Sequence, residues 1–128
     1  MSAPQRKLIP FMPSRASDSH RRLVDIRDNI RLASGFVEGL TYDAFRDNLL
    51  VFYGVTRCLE IISEASRRLP AELKERHSHI QWSAIAGAGN VYRHDYEAVE
   101  RRLIWGTIHE RLPELLAVVE QELSGSSE

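Results

Sequence analysis

A chain of 128 residues, 43% hydrophobic and 27% charged, has the make-up of one soluble globular domain with a single core. Its formal net charge of −1 excludes a molecule that grips nucleic acid through overall charge, so any such contact must come from a local patch. A lone cysteine, Cys58, excludes an intramolecular disulfide, and no apolar run approaches the ~20 residues of a membrane span; together these point to a reducing cytoplasm and no membrane partner.

Residues 1–17 hold three of the five prolines and no helical period, and are expected to form a flexible N-terminal arm. Its Ile9-Pro10-Phe11-Met12-Pro13 run is too short and broken for a signal h-region. The first helix is expected from Ser17 or Asp18, both good N-caps. Leu23, Ile26, Ile30, Ala33, Val37 and Leu40 then recur at three- and four-residue spacing, one apolar stripe facing a bundle. Gly35 and Gly39 weaken the end of this helix, and Thr41 caps the next.

A single long helix is expected over Tyr42 to Leu69, with Phe45, Phe52, Val55, Leu59, Ile62 and Leu69 as its main stripe. Leu50, Val51, Cys58, Ile61 and Ala65 make a second stripe, which places this helix at the centre of the fold. Pro70 stops it and opens a short helix through Arg76. Another helix begins near Trp82 and enters Ala86-Gly87-Ala88-Gly89, small residues that admit the backbone of a neighbour. The last helix is expected over Ala98 to Leu123, with Leu103, Ile108, Leu112, Leu115, Val119 and Leu123 inward and Pro113 kinking or splitting it. Residues 124–128 form a polar, disordered tail. No strand-like alternation occurs, so the fold expected is all-α, an antiparallel helical bundle of about five helices over residues 18–123.

Chemistry concentrates in Gly89-Asn90-Val91-Tyr92-Arg93-His94-Asp95-Tyr96. On an α-helix Asn90 and His94 share a face, while Arg93 points about 100° away from His94. An imidazole can take a proton from a 2′-hydroxyl, and a guanidinium can hold the phosphate under attack. The plain alternative is a helix C-terminus capped by Arg93 and His94. Arg57 is either part of a buried ion network with Glu60 and Glu64 or a second phosphate ligand. Tyr96 offers a phenol as hydrogen-bond donor or as acceptor of a transferred group, and Asp95 an ion-pair partner for Arg93. His77 and His79 lack a third ligand nearby, and there is no glycine-rich phosphate loop, so neither metal nor cofactor is expected. His20 and His109 read as solvated, and Trp82 and Trp105 as core anchors.

Several blocks, in order, resemble the HepT-like proteins of the HEPN superfamily. They are Arg57 with Leu59-Glu60-Ile61-Ile62-Ser63-Glu64-Ala65-Ser66-Arg67-Arg68-Leu69-Pro70, then Glu72 to His77 with Ile80, then Trp82 to Gly87. Asn90 to Tyr96, Ile104-Trp105 and Leu112-Pro113-Glu114-Leu115 follow. The resemblance covers roughly Leu23 to Leu123. It implies a homodimeric helical toxin of a toxin–antitoxin pair, similar to metal-independent ribonucleases, with the motif of each subunit meeting at a cleft. It implies RNA as substrate and a minimal nucleotidyltransferase as antitoxin, which silences the toxin by nucleotidylation of a tyrosine that maps to Tyr96. His94 maps to the general acid–base and Asn90 to its companion. The family motif also places an arginine five to seven residues before the histidine; here Gly89, Ala88 and Gly87 stand there. Loss of such a cation commonly costs on the order of a hundredfold in rate. Either Arg93, with Arg57 in support, serves instead, or the chain is a non-catalytic partner or regulator of the nucleotidyltransferase.

Overall fold

The computed structural model describes residues 15–93 and 97–125, the side chains of 15, 16, 91–93, 97 and 98 excepted. Helix α1 spans Arg15–Val37, α2 Tyr42–Arg46, α3 Leu49–Arg67, α4 Ala71–Arg76 and α5 Trp82–Gly87. A 3₁₀ helix continues over Ala88–Arg93. Helix α6 then spans Glu97–Gly106, a π-wound turn Thr107–Arg111, and α7 Leu112–Gly125. No strand occurs among the described residues, and the fold is the expected all-α bundle. Helix α1 opens inside the expected arm and α7 closes inside the expected tail; the rest of both, residues 1–14 and 126–128, lies outside the described residues.

The core follows from the stripes. Leu23, Ile26, Ile30, Ala33 and Val37 of α1 are each at most 4% exposed, and α1 packs along α3 and α7. Val55, Leu59 and Ile62 of α3 and Leu112, Leu115 and Val119 of α7 face them, as their helical spacing dictates. Phe45 of α2 plugs one end, its ring 5.2 Å from that of Trp105 and 6.2 Å from that of Phe52. Thr41 caps α2 as expected, accepting from the amide of Ala44 at 3.1 Å. The chain turns into that cap through Gly39, at φ +79°.

Three expectations fail, each for a local reason. The single helix over Tyr42 to Leu69 is cut before Leu49, because Asn48 leaves helical geometry and its side chain accepts from Val51 N at 3.1 Å. Asparagine competes for backbone donors in this way and favours caps over helix interiors. Near the new helix start the second stripe loses Leu50, which is 83% exposed, while Cys58 and Ala65 stay buried. In α6, Leu103 is 44% exposed and Ile104 takes the core position. Counting back from Ile108 by one turn reaches 104, not 103. Pro113, expected to kink or split the last helix, follows a π-wound turn that divides that helix into α6 and α7. The proline has no N–H for the carbonyl four residues back, and the turn just before it carries the chain on into α7.

The C-terminal helix is tied back to α4. Glu122 accepts from Arg76 at 2.9 and 3.3 Å and from His77 Nε2 at 2.6 Å. Trp82 Nε1 donates to the carbonyls of Lys74 and His77, anchoring α5 to the same corner. No helix among the described residues is long and apolar enough to cross a membrane.

Candidate active site

The second half of α3 carries Arg57, Glu60, Ser63, Glu64 and Arg67, and the 3₁₀ helix over Ala88–Arg93 lies against it. Between them is an open pocket of ≈ 370 Å³ lined by those five residues with Gly89 and Asn90. A second pocket, ≈ 450 Å³, shares Arg57 and Glu60 and extends past Tyr53 and Leu49 to Glu100 and Arg101 of α6. The two form one groove along α3, with the 3₁₀ helix and α6 as its other bank.

The close approach of the 3₁₀ helix to α3 has a plain cause. The amide of Gly89 donates to Ser63 Oγ at 2.7 Å, and that hydroxyl donates to the carbonyl of Ile85 at 2.9 Å. A Cβ on residue 89 would lie 3.0 Å from Ser63 Oγ and 3.1 Å from the backbone Cα of Glu60. Glycine is therefore what this contact requires. At position 89 the departure from the arginine motif gains a physical explanation, since a long side chain there would start against the backbone of α3, whereas a Cβ at 87 would meet nothing within 4 Å.

Charge in the groove is arranged as a pair and a separate trio rather than one network. Arg57 donates to Glu60 at 3.2 Å, with a side chain 71% exposed, so the buried network expected around it is not what forms. Glu64 instead accepts from Arg67 at 3.0 Å and Arg68 at 2.8 Å. The hydrogen bond from Arg68, aided by the charge of both guanidiniums, holds the Glu64 carboxyl below its usual value. Arg67 also reaches across to donate to the carbonyl of Ala86 at 2.9 Å. Among the described residues no group of His, Cys, Asp and Glu is placed to hold a metal ion.

Of the residues singled out from sequence, Asn90 and Arg57 meet in this groove, both exposed. Arg93 ends the 3₁₀ helix, its side chain outside the description; His94, Asp95 and Tyr96 lie outside the described residues. The expectation that Asn90 shares a face with His94 lies outside the described residues. With three residues per turn of the 3₁₀ helix, positions 90 and 93 fall on one edge. Ser63 and Arg67 were not singled out. Ser63 carried a signal, a hydroxyl between Leu59, Ile62 and Ser66 on an apolar face, where a buried polar atom needs a partner. Arg67 carried none.

Comparison with known proteins follows the same outline. A family model described as "Ribonuclease HepT-like" matches residues 26–122. "Putative RNase TTE0752" of Caldanaerobacter subterraneus subsp. tengcongensis is 38% identical over 87 residues, 68% of this chain and 78% of that protein. "Putative RNase MJ1216" of Methanocaldococcus jannaschii is 32% identical over 104 residues, 81% of this chain and 84% of that protein. "Probable ribonuclease HepT" of Thermococcus cleftensis is 33% identical over 93 residues, 73% of this chain and 84% of that protein. No solved structure matches the chain. With the helical bundle and a match that runs through nearly all of the described fold, the chain belongs to the HepT-like ribonuclease family.

Proposed function

We propose that this protein is the ribonuclease toxin of a toxin–antitoxin pair, cutting RNA without a metal ion at a cleft between two identical subunits in the cytoplasm. The observation that carries the reading is the groove: in a ribonuclease family, exposed Asn90 stands beside Arg57 and Arg67, four residues before the only histidine of the motif. In the reaction proposed, His94 takes the proton of a 2′-hydroxyl and the 2′-oxygen bonds to the adjacent phosphorus. The 5′-oxygen leaves with a proton from an imidazolium, giving a 2′,3′-cyclic phosphate and a 5′-hydroxyl end. Arg93 holds the phosphate in place of the missing arginine, Asn90 orients the substrate, and Arg57 and Asp95 support them. The 3₁₀ winding favours this division of labour, since positions 90 and 93 share an edge.

Exposed apolar side chains support the homodimer. Leu49, Leu50 and Tyr53 of α3 and Val99 and Leu103 of α6 are 44–83% exposed, and Leu49 and Tyr53 line the groove. Clustered apolar surface of this kind marks an association site more often than a free face. The antitoxin proposed is a nucleotidyltransferase that joins a nucleotide to the Tyr96 phenol, the tyrosyl oxygen displacing pyrophosphate from a nucleoside triphosphate.

One observation favours a second reading, a non-catalytic partner of that nucleotidyltransferase: Gly87, Ala88 and Gly89 stand where the motif arginine belongs, and packing against α3 closes position 89 to a side chain. RNA cleavage by the purified protein and by His94→Ala separates the two. The ribonuclease reading expects the substitution to slow cleavage at least ~100-fold. Equal rates would assign the cleavage to a contaminant and leave the second reading. Mass spectrometry of the chain co-expressed with the nucleotidyltransferase expects added nucleotide mass on Tyr96, and an unchanged mass contradicts the modification.

A further inference from the structure

An uninterrupted α-helix would bond the amide of residue 89 directly to the carbonyl of residue 85. Here the hydroxyl of Ser63, from another helix, stands between those two groups, accepting from Gly89 at 2.7 Å and donating to Ile85 at 2.9 Å. Side groups inserted into the helical ladder open it, and this is where α-winding gives way to the 3₁₀ helix. Ser63 is 1% exposed, so both bonds lie out of water. One turn further along α3, Arg67 grips the next carbonyl, that of Ala86. Ser66 Oγ donates to the carbonyl of Ser63 at 2.8 Å, bracing the α3 backbone at that point. Two side chains one turn apart on α3 thus hold two consecutive carbonyls at the entrance to the motif.

We propose that Ser63 is a positioning residue for the catalytic segment: its inserted hydroxyl imposes the 3₁₀ winding that sets positions 90 and 93 on one edge. The proposal rests on the ribonuclease reading only for its effect on rate; its effect on winding stands apart. Without the hydroxyl, the amide of Gly89 is free to bond Ile85 directly, and α-winding carries position 93 about 60° away from the edge held by Asn90. A misplacement of that size in a substrate-holding group lowers kcat more than it raises KM.

The experiment compares wild type, Ser63→Ala and Ser63→Cys as full chains. Cysteine keeps a weak donor and acceptor at similar volume and carries the test should alanine fail to fold. Backbone Cα and amide NMR shifts report the winding over residues 90–93, away from the deleted oxygen. RNA cleavage, normalised to folded protein, reports kcat and KM. The expected result for Ser63→Ala is a move of the 90–93 shifts toward α-helical values and a fall in kcat of roughly ten- to a hundredfold with KM little changed. Ser63→Cys is expected to lie between. Shifts confined to residues 85 and 89, with kcat per folded molecule unchanged, would overturn the proposal and leave Ser63 a packing residue. A wild type that cuts no RNA overturns the ribonuclease reading instead, and the shifts of 90–93 then decide the positioning claim alone.

Discussion

A side chain at position 89 would meet the backbone of α3 before it reached any substrate. The Cβ alone would sit 3.1 Å from Glu60 Cα, and a backbone atom in a packed helix cannot swing aside as a side chain can. Restoring the family arginine by Gly89→Arg is therefore expected to destabilise the fold by about 1–3 kcal/mol and to leave RNA cleavage no faster. Urea unfolding and the cleavage rate check this; an arginine variant as stable as wild type and more active would show that the groove accepts the side chain. The missing arginine was plain in the sequence. That position 89 is closed to a side chain was not, because it depends on a contact between residues 26 positions apart. Ser63 shows the reverse case: its place on an apolar face was visible, and only the partner had to come from the fold.

Among the elements, the buried stripe of α1 from Leu23 to Val37 was legible because it is set by local spacing, though the helix opens earlier than expected and ends before Leu40. The break before Leu49 was hidden because Phe45 and Phe52 are seven residues apart, two helical turns, so the apolar period runs straight across the gap. The tie between α4 and α7 was hidden too, since it joins residues far apart in the chain. Burial raises the pKa of Glu122, but the hydrogen bonds from Arg76 and His77 outweigh it and hold the carboxyl below its usual value. A carboxyl depressed on folding adds stability above its unfolded pKa and loses it as pH falls through the folded one. Glu122→Gln is thus expected to cost about 1–2 kcal/mol at pH 7, a gap that narrows as pH falls below the ordinary glutamate value of about 4.3. Urea midpoints at pH 7 and pH 3 test it, and a gap undiminished at pH 3 would mean that the charge of Glu122 is not what binds the two helices.

For the whole molecule, the sequence named the family and the bundle, because apolar stripes and motif blocks are linear features. It did not show which apolar residues stay outside the core, since helical spacing gives a face but not its neighbour. Leu50 illustrates this: it fits a stripe and yet is 83% exposed. Leu50→Glu is expected to change subunit stability by less than about 0.5 kcal/mol, as exposed positions do, and, with the homodimer proposed above, to shift dimer to monomer in light scattering. A mutant of wild-type mass would place the subunit contact elsewhere.

The claim on which the rest depends is that the motif histidine cuts RNA through its own 2′-hydroxyl. Incubating the protein in EDTA with an RNA and with its 2′-O-methyl counterpart, and analysing the new ends, tests it most directly. The account predicts 2′,3′-cyclic phosphate ends from the RNA, an intact methylated chain, and no such ends with His94→Ala. Cleavage of the methylated chain, or the same ends from His94→Ala, would contradict it.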